Sequence, residues 1–187
     1  MHRESRPSIA PTCRIKDGRR VRLRPATEED AEDIIQAVDS VAREGAYFLR
    51  SRFEQDVIAE RAFLTKTAEH DNLFLLAELD GNLVGWVTLF RGQQEFRRHT
   101  AELGMGVLEA FRGLGIGTAL LRYALEWAAR HDVEKVNLGV RASNQRAQVL
   151  YRKFGFVEEG RRVKEIKDPA NEYDDSLEMA VFVEKVA

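Results

Sequence analysis

The strongest constraint on this chain is Arg112-Gly113-Leu114-Gly115-Ile116-Gly117, with glycine at alternate positions. The sequence before it (residues 100–107) reads as a strand, and the sequence after it (residues 118–130) as a helix. A loop with few Cβ atoms at a helix start turns several backbone N–H groups toward one point. The helix dipole adds partial positive charge there, and Arg112 adds a full one, an arrangement that suits phosphate or pyrophosphate. Two common phosphate loops do not fit. The dinucleotide fingerprint needs Gly-x-Gly-x-x-Gly, and Thr118 occupies its last glycine. The Walker pattern needs a lysine after its final glycine, and Thr118 follows Gly117. Taken alone, the segment also reads as a plain glycine turn between strand and helix.

The elements around it follow from periodicity. Residues 1–11 are polar, contain two prolines and read as a flexible N-terminal tail. Residues 12–187 read as one domain, since a chain of 187 residues is of single-domain length. Asp17-Gly18 marks a hairpin, and Val21, Leu23 and Pro25 alternate with arginines in a half-exposed strand. Thr27 to Asp30 opens a helix in capping-box style, and Gly45 ends it. A second helix is expected over residues 54–69, with Val57, Ile58, Ala62 and Leu64 inward. Strands follow at 73–79, 83–90 and 100–107; Gly104 and Gly106 in the last suit a bulge or a close backbone approach. A strand at 136–140, a helix at 144–154 closed by Gly155, and two final strands complete the chain. The order β–α–α–β–β–β–α–β–α–β–β predicts an α/β fold with a mixed, mostly antiparallel sheet of about seven strands and about four helices. Residues 100–140 form its strand–helix–strand crossover, with a parallel central pair.

A second diagnostic segment is Asn144-Gln145-Arg146-Ala147-Gln148-Val149-Leu150-Tyr151-Arg152-Lys153-Phe154-Gly155-Phe156. Asn144 and Tyr151 are seven residues apart and share a helix face. By itself the segment is a capped amphipathic helix. Paired with the glycine loop, its Asn-x-x-Ala-x-x-Leu-Tyr-x-x-x-Gly-Phe run resembles the second cofactor segment of the Gcn5-related N-acetyltransferases, the GNAT superfamily. The loop, read as (Gln/Arg)-x-x-Gly-x-(Gly/Ala) on Arg112, Gly115 and Gly117, is similar to that superfamily's acetyl-CoA loop. The resemblance covers roughly residues 73–156. One departure is Glu109, where many relatives carry proline.

The resemblance implies an acetyl-CoA-dependent N-acetyltransferase of GNAT fold, with acetyl-CoA as cosubstrate in a cleft where the central parallel strands splay. Met105, Gly106 and Val107 would meet the pantetheine arm, and an N–H near Val107 would polarise the thioester carbonyl. Arg112, Gly113, Leu114, Gly115, Ile116, Gly117 and Thr118 would hold the pyrophosphate, and Asn144 would bond the cofactor or a water. Tyr151 occupies the family's general-acid position; a phenol of pKa about 10 is protonated near neutral pH. Glu102 is the candidate base, and a water chain is the alternative. An amine would attack directly in a ternary complex, without an acyl-enzyme. The acceptor is a small-molecule amine or a protein N-terminus, met by Tyr47, Phe48, Arg50 and Phe53 and by the acidic turn 172–175. A non-catalytic acyl-CoA sensor of the same fold, and a nucleotide-binding module, are the rival readings.

Composition narrows the classes further. A formal net charge of −2 offers no global basic field for nucleic acid. The longest apolar runs are far too short for a bilayer, and no apolar core follows the N-terminal arginines, so neither membrane nor secretory signal is expected. A single cysteine, Cys13, fits a reducing compartment, hence a cytoplasmic protein. His2, His70, His99 and His131 lack ligand spacing, so no metal is expected. The late strands offer an edge through which a homodimer would pair.

Overall fold

The computed structural model describes residues 12–168 and 170–184. The expected tail over residues 1–11 lies outside them. The elements are β1 (Thr12–Arg14), β2 (Arg20–Pro25), α1 (Ala31–Arg43), α2 (Val57–Glu69), β3 (Leu73–Leu79) and β4 (Asn82–Arg91). Then come β5 (Thr100–Val107), α3 (Ile116–Arg130), β6 (Lys135–Arg141), α4 (Gln145–Lys153), β7 (Val157–Lys167) and β8 (Tyr173–Phe182). They build one eight-stranded sheet in the order β1-β2-β3-β4-β5-β6-β8-β7. The eighth strand is β1, the short outer arm of the Asp17-Gly18 hairpin, where Gly18 takes φ +93°.

Helices cover both faces. The alternating side chains of β3 decide which residue meets which layer. Leu73, Leu75 and Ala77 join α3 residues Leu120, Leu121, Ala124 and Trp127 in one core, together with Tyr151 and Phe156. Phe74 and Leu76 face the other way and pack with Ala31, Ile34 and Val41 of α1, Leu64 of α2 and Trp86 of β4. A strand buried on both faces reads as a continuous apolar run, as β3 does.

The start of α1 follows its sequence signal. Thr27 and Asp30 form a reciprocal capping box around the 3₁₀ turn Glu28–Asp30, and α1 continues from it. The α2 helix departs from expectation. It begins at Val57 behind an Asp56 cap, and Ile58 and Ala62 face solvent. Its buried stripe is Glu60, Leu64 and Thr67, spaced four and three residues apart. Of the four residues expected inward, Leu64 is buried and Val57 packs against the same core, while Ile58 and Ala62 are exposed, so the apolar residues are split between two faces.

β5 and β6 are the parallel pair, but only at Thr100–Lys135, Ala101–Val136 and Glu102–Asn137. Beyond these, β5 pairs with β4 alone and β6 with β8 alone. The two strands therefore part, leaving a gap between Val107 and Arg141. No bulge occurs in β5: its register with β4 is unbroken from Ala101 to Val107. The glycines serve close approach instead. Gly106 stands opposite Trp86, whose ring fills the space a Cβ would need, and Gly104 stands opposite Thr88 Oγ1.

Candidate active site

The gap opens into a cavity of about 330 Å³ lined from every element that meets there. β5 supplies Met105, Gly106 and Val107; the glycine loop and the first turn of α3 supply Arg112, Gly113, Gly115, Ile116, Gly117 and Thr118. Asn144, Arg146, Ala147, Leu150, Tyr151 and Lys153 come from the α4 segment.

The open edge of β5 has a defined polarity. Leu108 N–H donates to Val84 O, and Gly92 N–H donates to Thr100 O. Main-chain groups alternate sides along an antiparallel strand. Even-numbered residues of β5 thus face β4, and Met105 and Val107 turn theirs to the gap. Val107 O already accepts from Arg112 Nε at 2.9 Å, which leaves the Val107 N–H directed at the cavity.

The loop is a dense donor array. Gly113 and Gly115 adopt φ +85° and +98°, a conformation that side-chain-bearing residues rarely take. The first helical bond of α3 is Ala119 N–H to Gly115 O at 3.1 Å. Among the described residues, the amides of Gly113, Leu114, Gly115, Ile116, Gly117 and Thr118 have no carbonyl or side-chain acceptor. Such a run at a helix N-terminus is a receptor for an anion. Three cations stand around it, Lys16, Arg146 and Lys153, and none meets a carboxylate among the described residues. The Arg146 guanidinium covers Gly113, with Nη2 3.5 Å from where a Cβ would sit.

Tyr151 closes the inner wall. Its ring packs tilted against that of Phe156, with centroids 5.6 Å apart, and the residue is 7% exposed. Burial pushes its hydroxyl up to about 12, because the phenolate loses hydration there. The hydroxyl therefore keeps its proton at any physiological pH. Asn144 is the N-cap of α4: its Oδ1 accepts from Ala147 N–H at 3.1 Å, leaving its amide nitrogen for a ligand.

The sequence model of the Acetyltransferase (GNAT) family matches residues 35–156, from α1 through the helix that carries Tyr151. The chain belongs to the GNAT acetyltransferase family. An N-alpha-acetyltransferase from Sulfurisphaera tokodaii is 33% identical over 105 residues, which span 51% of this chain and 63% of that relative. Among solved structures, the GNAT-family acetyltransferase from Streptococcus pneumoniae aligns with TM-score 0.83 at 28% identity, over 87% of this chain and 99% of its own. The structure of yncA from Salmonella typhimurium, solved with its cofactor acetyl-CoA, aligns with TM-score 0.81 at 19% identity, over 89% of this chain and 96% of its own. At that identity the likeness concerns the fold.

In this GNAT chain the geometry gathers Met105, Gly106, Val107, Arg112, Gly113, Gly115, Ile116, Gly117, Thr118, Asn144 and Tyr151 around one cavity. Leu114 contributes its backbone to the loop, and its carbonyl accepts from Lys16 N–H at 2.9 Å. Glu102 is not brought there. Its side chain is 58% exposed at the far end of β5, 3.8 Å from Arg97, and accepts from Asn137 Nδ2 at 3.3 Å. No Asp or Glu lines the cavity among the described residues. Of the expected acceptor residues, Tyr47 and Phe48 reach the cavity, whereas Arg50 and Phe53 do not. Asp174 in the acidic turn is occupied: Ser143 Oγ donates to it at 2.5 Å and Arg141 Nε at 3.2 Å.

Lys16, Arg146 and Lys153 were not among the residues expected from sequence. Arg146 and Lys153 are seven residues apart on α4, so their shared face was legible. Lys16 was not legible, because the first hairpin meets the loop only in the fold, through the bond from Lys16 N–H to Leu114 O and the shared core of Ile15 and Ile116.

Among the described residues, no helix is long and apolar enough to cross a membrane, and no cluster of His, Cys, Asp or Glu has metal-binding geometry.

Proposed function

We propose that this chain is an acetyl-CoA-dependent N-acetyltransferase that moves an acetyl group directly to a primary amine in a ternary complex. One observation carries the reading: the unpartnered amides of residues 113–118 open into the same cavity as the buried Tyr151 hydroxyl and the free edge of β5. The amides, the α3 dipole and the cations Lys16, Arg146 and Lys153 suit the phosphates of the cosubstrate. Met105 and Val107 offer main-chain groups to an amide-bearing arm lying along β5. The Val107 N–H stands where it stabilises the oxyanion formed at the thioester carbonyl.

The bond changes balance with few protein groups. The amine nitrogen forms a bond to the acetyl carbon, and the C–S bond breaks. Tyr151 gives its proton to the departing sulfur. The acceptor loses its own proton to water, because the cavity wall carries no carboxylate and Glu102 lies outside it. The S. tokodaii relative's name favours an α-amine, at a protein N-terminus or on a small molecule.

Calorimetric titration with acetyl-CoA tests the site, with ATP and NAD as controls. Saturable binding of acetyl-CoA alone, weakened about tenfold or more by Arg146→Glu with Lys153→Glu, is the expected result. Absence of acetyl-CoA binding overturns it. CoA release on addition of short peptides or amino acids then separates an enzyme from a non-catalytic acyl-CoA sensor, which binds without turnover.

A further inference from the structure

Arg112 stands in the loop expected to hold phosphate, yet its guanidinium is committed elsewhere. Nε donates to Val107 O at 2.9 Å. Nη1 donates to Glu44 Oε2 at 2.6 Å and Nη2 to Glu44 Oε1 at 2.5 Å, a bidentate pair. Nη1 also reaches Tyr47 Oη at 3.4 Å, and Cζ lies 4.7 Å above the Tyr47 ring centroid. Planar guanidinium matches both a carboxylate and a ring face, a combination lysine does not supply.

Glu44 and Tyr47 belong to the segment that follows α1. The same segment is tied from the other side of the gap. Arg141, the last residue of β6, donates Nη1 to Gly45 O at 2.5 Å, and Asp174 orients it through Nε at 3.2 Å. Residues 44–47 therefore cross the mouth of the cleft, bonded to the end of β5 by Arg112 and to the end of β6 by Arg141. Tyr47 and Phe48 thereby face the cavity, and the Phe48 ring sits 6.3 Å from that of Trp86. Tyr47 and Phe48 also pack against the α1 core, while the neighbouring Leu49 is exposed, so the stretch is held by apolar packing on one side and by the two arginines on the other.

We propose that Arg112 is a positioning residue, not a phosphate ligand, and that it anchors residues 44–48 as a strap, holding in place the segment the family resemblance already assigns to the acceptor. The kinetic part rests on the acetyl-transfer reading; the structural part does not. The strap spans both diverging strands, and the arginines at their ends tie its polar groups while Tyr47 and Phe48 rest on the α1 core. Anchoring it holds Tyr47 and Phe48 where an amine must enter, while the loop amides and the separate cations serve the phosphates.

The test is hydrogen–deuterium exchange on the full chain, paired with acetyl-CoA calorimetry. Glu44→Gln is expected to speed exchange over residues 44–53 about tenfold or more, with acetyl-CoA Kd changed less than about threefold. Arg112→Gln is expected to do the same. The charge exchange Arg112→Glu with Glu44→Arg restores part of the protection. For the best amine found in the peptide and amino-acid screen, Glu44→Gln raises the acceptor KM about tenfold with a smaller change in kcat. Glu44→Asp, which keeps the charge but shortens its reach, falls between. Unchanged exchange over 44–53 in Glu44→Gln overturns the strap. A tenfold loss of acetyl-CoA affinity in Arg112→Gln overturns the assignment of Arg112. If wild type binds no acetyl-CoA, the proposed function fails while the exchange result still decides the strap.

Discussion

Tyr151 is a phenol placed where it holds its proton. Burial raises its pKa to about 12, so the acid form persists well above the working range of a protein. Tyr151→Phe keeps the ring that packs near Phe156 and removes only the hydroxyl. The expected outcome is a fall in kcat of about 10²-fold or more, with acetyl-CoA affinity nearly unchanged. The pH profile carries a second check. Wild-type kcat should show no alkaline limb assignable to Tyr151 below about pH 11, given the raised pKa. A limb near pH 10 that disappears in the Phe variant would mean a solvated phenol and would sink the assignment. Tyr151 was legible because its spacing from Asn144 and the Gly-Phe pair after it are local. Glu102 is suggested from sequence only by the strand it occupies. Where strands part is a tertiary matter, and Glu102 lies on the paired side of the split, away from the cleft.

Among the elements, α1 depends on a polar network at its start. Arg24 Nη2 donates to Asp30 Oδ1 at 2.6 Å and lies 2.6 Å from Glu78 Oε1; Thr27 N–H donates to Asp30 Oδ2 at 2.7 Å. Burial works to raise the Asp30 pKa, but the bonds from Arg24 and Thr27 prevail and hold it below the usual carboxylate range. A depressed folded pKa means the unfolded chain takes up the proton first as pH falls. The stabilisation is therefore complete above the unfolded value of 3.8 and is lost as pH drops through the lower folded value. Asp30→Asn is expected to cost about 1–3 kcal/mol at pH 7, read by urea melts. The gap between variant and wild type should narrow below pH 4. A constant gap from pH 7 to pH 2 would show that the charge is not its source. This capping signal was legible because a cap is local; the α2 face was legible only at Val57 and Leu64, because its remaining inward positions, Glu60 and Thr67, are polar.

At the scale of the molecule, the cleft joins segments from residue 16 to residue 153. A ligand that binds only this assembled state stabilises the whole fold by linkage. Acetyl-CoA at about 100 times its Kd is expected to add about 2.7 kcal/mol. For a domain of this size that raises the melting temperature by about 5–10 °C. Differential scanning calorimetry with and without acetyl-CoA reads the shift directly. A rise seen equally with ATP would point to a general phosphate receptor and against the pantetheine edge of β5.

The glycine loop, the Asn144–Tyr151 helix and the capping box of α1 are each written in spacing over a few residues, and the order of strands and helices along the chain implies the mixed sheet. The sequence by itself also determined the family, through two motifs in fixed order. Only the tertiary structure decided where β5 and β6 part, that Lys16 joins Arg146 and Lys153, and that Arg112 reaches back to Glu44. The cavity so formed is lined by residues up to 137 positions apart (Lys16 to Lys153). No local periodicity encodes such pairings: they depend on how the sheet splays and on which charges the packed layers bring within hydrogen-bonding reach.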